Sequence, residues 1–231
     1  MTMACPVLDS RLSLAFDLYD PCELAADIGT DHAHLPAALI QRGRCQHMIL
    51  TDISPDALKN ARSEMIRFGL ADRADFRIGD GLAPLQEACG VVSVTGMGGR
   101  TIRDILLSGH NRLRGAALIL SAHTDLPLIR AAIRDIGYRP DREEPCLAGG
   151  RYYLVIRARP GEWCPDSREI RLGGALFRSE SPMLGPYLIR RIDVLRAQLK
   201  GLQSAHTPDE ELINRVTEDI RFYENHIRTL R

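Results

Sequence analysis

Along the first 160 residues the chain switches between two hydrophobic periods. Short apolar runs, ELAADI (23–28), CQHMILTD (45–52), ADFRI (74–78), GVVSVTG (90–96) and ALILSA (117–122), are bounded by glycines and acids and predict five buried strands. Helical patterns lie between them. HLPAALIQRG begins a helix stopped by Gly43, and SPDALKNARSEMIRFG carries Ala57, Leu58, Ala61, Met65 and Phe68 at helical spacing. Ser54 is placed to cap that second helix, with Pro55 at its first position, Asp56 near its positive end and Gly69 closing it. Further helices are predicted near 100–109 and over 126–136, the latter ended at Gly137. YRPDREEPCLAGGRYYLVIRARP reads as a hairpin turning at Gly149-Gly150.

Strands alternating with helices imply an α/β fold with a doubly wound, mostly parallel sheet, to which the hairpin adds an antiparallel edge strand. After Pro160 the pattern becomes purely helical. Leu184, Leu188, Ile192, Leu195, Leu199 and Leu202 make one apolar stripe, and Leu212, Val216, Ile220, Tyr223, Ile227 and Leu230 make another. Thr207-Pro208-Asp209-Glu210 reads as a capping box between them, with proline at the first helical position. The expected organisation is therefore a sheet domain over 1–160 and a coiled-coil-like helical hairpin with its connection over 161–231.

Composition narrows the class. No stretch approaches about 20 apolar residues, so no membrane span is expected. Asp9, Arg11 and Asp17 interrupt the N-terminal segment, which lacks the apolar run of a signal peptide. Six scattered cysteines (Cys5, Cys22, Cys45, Cys89, Cys146, Cys164) contain no Cys-x-x-Cys pair. Reduced thiols in a cytoplasmic protein fit this better than disulfides or a zinc site. A net charge of zero hides an asymmetry: residues 1–99 hold 8 basic and 13 acidic side chains, and residues 100–159 hold 11 basic and 6 acidic ones. A cationic ligand near the first block and a phosphate-bearing partner near the second would suit this split, as would ordinary solvated helix faces.

In a doubly wound sheet the ligand crevice lies beyond the carboxyl ends of the strands. Those ends are Asp27-Ile28-Gly29, Asp52-Ile53, Gly79-Asp80-Gly81 and Thr95-Gly96-Met97-Gly98-Gly99. A dinucleotide fingerprint needs three glycines in its first turn, whereas Gly29 stands alone there and Asp27 and Asp31 would repel a pyrophosphate. Asp31, His32 and His34 are neighbours, but no second ligand cluster follows, so no metal site is assigned. S-adenosylmethionine fits better: it carries a sulfonium, an ammonium and two ribose hydroxyls, and no phosphate. Asp52 would accept the ribose hydroxyls, with Ile53 beside it; Asp80, next to Gly81, would take the adenine amino group; Asp27 and Gly29 would line the methionine end.

ADIGTDHAHLP (26–36), TDIS (51–54), GDGL (79–82) and TGMGGRTI (95–102), in this order, resemble the TrmK family of bacterial methyltransferases. The likeness extends to LDSRL (8–12), GGRYYLVIRA (149–158), MLGPYL (183–188) and the helical appendage, nearly the whole chain. It implies a class I methyltransferase domain followed by a coiled-coil-like domain, with S-adenosylmethionine as cofactor and N1 of adenine 22 in tRNA as acceptor. Two departures stand out: Ser121-Ala122-His123 replaces a Gln-Pro-Asn-like turn, and the C-terminal helices are short.

For that reaction, Asp31 is the candidate carboxylate near the adenine, with a cofactor contact or helix cap as its other reading. His32 is a possible positioning donor, and Met97 an apolar wall between Gly96 and Gly98, whose turn admits close approach. Arg11 is assigned to the cofactor carboxylate or a phosphate, and Arg100, Arg103, Arg112 and Arg114 to RNA phosphates. The hairpin could clasp tRNA or mediate dimerisation, so a monomer and a weak dimer both stand. Methylation of a small molecule or protein on the same fold, or a non-catalytic RNA-binding role, are the rival readings.

Overall fold

The computed structural model describes residues 6–230, so Cys5 and its predicted free thiol lie outside the described residues. Seven strands form one sheet: β1 (Cys22–Ile28), β2 (Cys45–Asp52), β3 (Ala74–Ile78), β4 (Val91–Thr95), β5 (Ala117–Ala122), β6 (Tyr138–Ala148) and β7 (Arg151–Pro160). Their order is β3-β2-β1-β4-β5-β7-β6. The first five strands run parallel, and β7 pairs antiparallel with both β5 and β6. The hairpin thus brings the antiparallel pairing to this side of the sheet, with β6 at the rim.

The β-period writes two cores. Ala26, Ile28, Val92, Val94, Leu118 and Leu120 face one layer, while Ala25, Met48, Leu50, Val91 and Ile119 face the other. Strand β5 is buried at all six positions, as a central strand covered on both faces must be. Helices α1 (Ser10–Asp17), α2 (His34–Gln41) and α3 (Pro55–Arg67) cover one face through Phe16, Leu39 and Met65. Helices α4 (Gly99–Gly109) and α5 (Leu126–Asp135) cover the other through Ile102, Leu106, Ile129 and Ile133. The cap of α3 is the expected one: Ser54 Oγ accepts from Ala57 N at 3.3 Å. Helix α1 was not expected from the pattern; Asp9 caps it, accepting from Leu12 N at 2.7 Å.

A short helix, α6 (Ser167–Leu172), with a capping box between Asp166 and Glu169, leads to α7 (Leu184–Gln203) and α8 (Glu210–Thr229). The two long helices pack as the predicted hairpin, but the start of α8 differs. Asp209, not Thr207, is the N-cap, accepting from Leu212 N at 2.9 Å, so Pro208 precedes the helix. Glu210 and Glu211 then occupy the first turn, where they favour the dipole.

The hairpin does not hang free. Leu188, Ile192, Val216, Ile220 and Tyr223 join Ile129, Ile133 and Leu154 in one apolar cluster. Within this contact Arg130 and Glu143, 1% and 0% exposed, pair at 2.7 Å. Glu143 also accepts from Leu176 N at 3.0 Å, and Arg130 donates to the carbonyls of Ile170 and Arg171. Burial opposes the Arg130 charge, but Glu143 outweighs it and holds the guanidinium above its ordinary pKa. Arg171 adds a bidentate contact to Asp219 of α8 at 2.8 and 3.0 Å.

The five cysteines among the described residues are free. Burial pushes the Cys45 thiol up to about 12 and those of Cys89 and Cys146 to about 11, which makes them poor nucleophiles. No helix among the described residues is long and apolar enough to cross a membrane.

Candidate active site

The parallel strands end in a row of acids on one rim. Read across the order β3-β2-β1-β4, the rim carries Asp80, Asp52, Asp27 with Gly29, and Gly96. Three strand spacings of about 4.8 Å make this row roughly 14 Å long, the scale of an extended nucleoside joined to an amino acid. Ile53 follows Asp52 and is 69% exposed, an apolar surface left uncovered at the rim. Asp80 is exposed, and Gly79 beside it donates its N–H to the Asp52 carbonyl at 3.1 Å, which ties the two turns together. Gly81 packs beside Ile105 of α4.

Asp52 Oδ1 accepts from Ser54 N at 2.7 Å, so the loop after β2 fixes the carboxylate before any ligand arrives. Its Oδ2 faces Gly29, 4.0 Å from where a Cβ would stand. Gly29 has φ +77°, and a Cβ there would fall 1.9 Å from Met97 Cε. Only glycine lets the β1 turn, Met97 and Asp52 come this close.

A hollow of about 410 Å³ opens between this turn and α1, lined among others by Arg11, Asp27, Gly29, Asp31, His32 and Gly96. Asp27 is its buried acid, held by residues from far along the chain. Ser93 Oγ and Thr30 Oγ1 each donate to it at 2.5 Å, and Tyr19 OH donates to Ser93 Oγ at 2.8 Å. Burial pushes the Asp27 carboxyl above its usual range, against the lowering effect of these hydrogen bonds and of Arg11. Arg11 reaches in from α1 over the Tyr153 ring at 5.5 Å, and its buried Nη1 has no hydrogen-bond partner. An orphaned guanidinium nitrogen next to a buried carboxylate suits a zwitterion: Asp27 for an ammonium, Arg11 for a carboxylate.

Asp31 is not a helix cap. The N-cap of α2 is Ala33, in left-handed conformation with no side-chain hydrogen bond. Asp31 is exposed and receives Asn60 Nδ2 of α3 at 3.1 Å, while His32 Nε2 lies 3.3 Å from its other oxygen. His34 turns away toward Glu64 at 3.9 Å, so the Asp-His-x-His run does not converge on a point. Among the described residues no three His, Cys, Asp or Glu side chains are placed to hold a metal ion.

Gly98 caps α4 without a side chain, and a Cβ on Gly99 would meet the carbonyls of Thr124 and Asp125 at 2.6 and 2.8 Å. The glycine run thus seats the loop after β5 against the start of α4. Arg100 is exposed near this rim. Arg103 is committed to Asp104 at 2.7 Å. The placement of Arg112 and Arg114 along the crevice is corrected. The 11 residues of α4 carry the chain roughly 16 Å back across the sheet at 1.5 Å per residue. Arg112 donates to Leu85 O before β4, and Arg114 precedes β5, so both lie at the rim where strands begin.

Tyr19, Thr30, Asn60, Ser93 and Tyr153 were not among the residues predicted for the site. Each acts through a partner 3 to 142 positions away, and none carried a local signal.

Comparison with known proteins agrees with this geometry. A curated tRNA (adenine(22)-N(1))-methyltransferase of Bacillus subtilis is 27% identical over 185 residues, spanning 79% of this chain and 75% of that protein. Two solved structures share the fold at lower identity. The B. subtilis m1A22 tRNA methyltransferase TrmK superposes with a TM-score of 0.84 at 21% identity, covering 96% of this chain and 99% of that one. M. capricolum TrmK, solved with S-adenosyl-homocysteine, gives 0.80 at 23% identity, covering 97% and 99%. The profile of the methyltransferase domain matches residues 8–156, from the segment that carries Arg11 through the hairpin strand that carries Tyr153. This chain belongs to the methyltransferase-domain family.

Proposed function

We propose that this protein transfers the methyl group of S-adenosylmethionine to N1 of adenine 22 in tRNA. The observation that carries the reading is the acidic rim ending in a hollow with one buried carboxylate and one orphaned guanidinium nitrogen, on a chain similar over most of its length to a curated enzyme of that activity. In this reading Asp80 and Ile53 receive the adenine end of the cofactor, and Asp52 takes the ribose hydroxyls. Asp52 Oδ1 already accepts Ser54 N–H and keeps one lone pair, and Oδ2 is left to accept the second hydroxyl. Asp27, Gly29, Gly96 and Arg11 hold the amino-acid end.

The bound cofactor supplies an electrophilic methyl group on a sulfonium. Adenine N1 is neutral with an in-plane lone pair, so the protein needs no base to create the nucleophile. Its work is alignment and exclusion of water, which can supply about 7–11 kcal/mol of the barrier. As the bond from the methyl carbon to N1 forms, its bond to sulfur would break and return an electron pair to a neutral thioether, S-adenosylhomocysteine, so the positive charge would pass to the adenine ring. Asp31, held by Asn60 and flanked by His32 at the mouth of the hollow, is the carboxylate placed to stabilise it. Met97 forms the apolar wall beside the Gly29 turn. N1 lies on the Watson–Crick edge, so the adenosine must leave its stack to reach this point. In this reading Arg100, exposed at the start of α4, meets a phosphate there, and the α7–α8 hairpin faces the tRNA. A cytoplasmic location goes with a tRNA substrate.

The test is incubation of unmodified bacterial tRNA with methyl-labelled cofactor, followed by mapping of the labelled nucleotide. Label at N1 of adenine 22 is expected; label elsewhere, or none, refutes the reading. Asp31→Asn should lower kcat at saturating cofactor and leave cofactor Kd unchanged, and full turnover would remove Asp31 from the mechanism.

A further inference from the structure

A second hollow of about 410 Å³ lies beyond the carboxyl end of β5, between the loop at His123, the β6–β7 turn and α7. Its polar wall is cationic: Arg151, Arg190 and Arg191 line it with His123, Tyr152 and Tyr187, and no carboxylate does. Most arginines of this protein that meet a side chain meet an acid, as Arg77, Arg130, Arg157, Arg159 and Arg171 do. The three arginines of this hollow form no ion pair among the described residues. Arg191 lies instead close to Tyr223, whose hydroxyl burial keeps protonated, so this neighbour does not neutralise it.

The hollow also adjoins the candidate active site. His123 packs edge-on to Tyr153 at 5.5 Å, and Arg11 lies over the same ring at 5.5 Å. His123 of the second hollow and Arg11 of the first thus share one aromatic neighbour. Tyr152, the next residue on β7, is half-buried and braced edge-on by the buried Tyr187 at 6.0 Å, a fixed aromatic surface. Unpaired guanidinium groups match phosphate oxygens, and fixed aromatic faces match bases.

We propose that this second hollow binds a nucleotide of the RNA neighbouring the methylated adenosine, with Arg151, Arg190 and Arg191 on the phosphates at either side of it and Tyr152 and His123 against its base. The proposal rests on the tRNA reading above. It gives His123, in the turn where this chain departs from a Gln-Pro-Asn-like sequence, a place in RNA binding.

The test measures binding of an unmodified tRNA transcript across a salt series. Arg151 and Arg190 are exposed, so the Arg151→Ala/Arg190→Ala protein should keep its fold and its calorimetric affinity for S-adenosylmethionine. Its tRNA Kd should rise about tenfold, and the slope of log Kd against log salt should become shallower by about 1.4–1.8, the loss of two phosphate contacts. A control, Arg62→Ala/Arg67→Ala, removes two exposed charges from α3 and should leave Kd and slope near wild type. Equal losses in the two variants, or none in the first, would overturn the pocket while wild-type methylation of tRNA left the functional reading standing. A wild-type protein that neither binds nor methylates tRNA would overturn that reading and the pocket with it.

Discussion

Gly29→Ala probes the centre of the site, because two separate effects meet at one atom. The residue sits at φ +77°, where an L side chain costs about 1–2 kcal/mol. The new Cβ would also stand 1.9 Å from Met97 Cε. Ordinary carbon contacts lie near 3.5–4.0 Å, so the tip of Met97 must retreat by roughly 1.6–2.1 Å. Met97 packs on the core cluster, and driving it off its rotamer adds about 0.5–1.5 kcal/mol. The expected loss is therefore about 2–3 kcal/mol, or about 4–12 °C in Tm for a chain of this size. Combining Gly29→Ala with Met97→Ala separates the two effects. The clash disappears in the Met97→Ala background and the backbone strain remains, so a double-mutant cycle should show a favourable coupling of about 0.5–1.5 kcal/mol. Cofactor affinity, read by calorimetry, should fall at least about tenfold in both proteins that carry Gly29→Ala, since a charge-assisted contact is worth about that much and the methyl intrudes beside Asp52 Oδ2. A Gly29→Ala protein with wild-type Tm and cofactor Kd would refute the close approach on which the site geometry rests.

Three further perturbations address other parts of the molecule. Asp52→Ala should weaken S-adenosylmethionine binding about 10- to 150-fold, the loss of a charged hydrogen bond worth about 1.5–3 kcal/mol; unchanged calorimetric affinity would displace Asp52 from the ribose. Burial raises the Asp27 pKa, and the ionised form is the one that pairs with an ammonium, so cofactor affinity should hold at neutral pH and fall by up to about tenfold per unit once pH drops below that raised value. Its effect on folding has the opposite sign, stabilising at acid pH and lost as pH rises through the raised value, and Asp27→Asn should flatten both profiles; a flat wild-type affinity profile from neutral pH to the onset of acid unfolding counts against the assignment. Glu143→Gln leaves the Arg130 charge buried and uncompensated and should cost about 3–5 kcal/mol in urea unfolding, whereas Arg130→Met/Glu143→Leu should recover much of it; a loss under about 1 kcal/mol in the single variant would refute the pair's role.

What the sequence disclosed follows from how local each feature is. Strand β2 is legible because Met48-Ile49-Leu50, buried on both faces, is an apolar run, and Asp52 is legible because it closes the strand two residues later. Helix α3 carries its own cap and stop in Ser54 and Gly69. Helix α1 escapes such reading, since eight residues with two buried side chains give little periodicity. The network around Asp27 escapes for a different reason: Ser93 lies 66 positions away and completes the site only when β4 pairs with β1. The basic residues after Gly99 mislead for the converse reason, because adjacency in sequence carries Arg112 and Arg114 across the sheet to the opposite rim. His123, Arg151 and Arg190 share no spacing at all; a loop, a hairpin turn and a helix bring them together.

The zero net charge now acquires a spatial meaning. The first hollow draws its carboxylates, Asp9, Asp27 and Asp31, from the acidic N-terminal third, and holds Arg11 as its one guanidinium. The second draws arginines from the β6–β7 turn and α7 and has no carboxylate. A cationic cofactor and an anionic nucleic acid are thus offered neighbouring sites of opposite sign on one rim, and neither has to displace the other's counter-charge. Helix α7 joins these sites to the architecture, since Arg190 and Arg191 face the second hollow while Leu188 and Ile192 enter the core shared with α5 and β7. The Arg130–Glu143 pair locks the chain just before α7 to the edge of the sheet. Loosening that lock should therefore raise tRNA Kd while cofactor Kd stays constant, because the first hollow is built from α1, β1, β4 and the start of α2 and contains nothing from the hairpin.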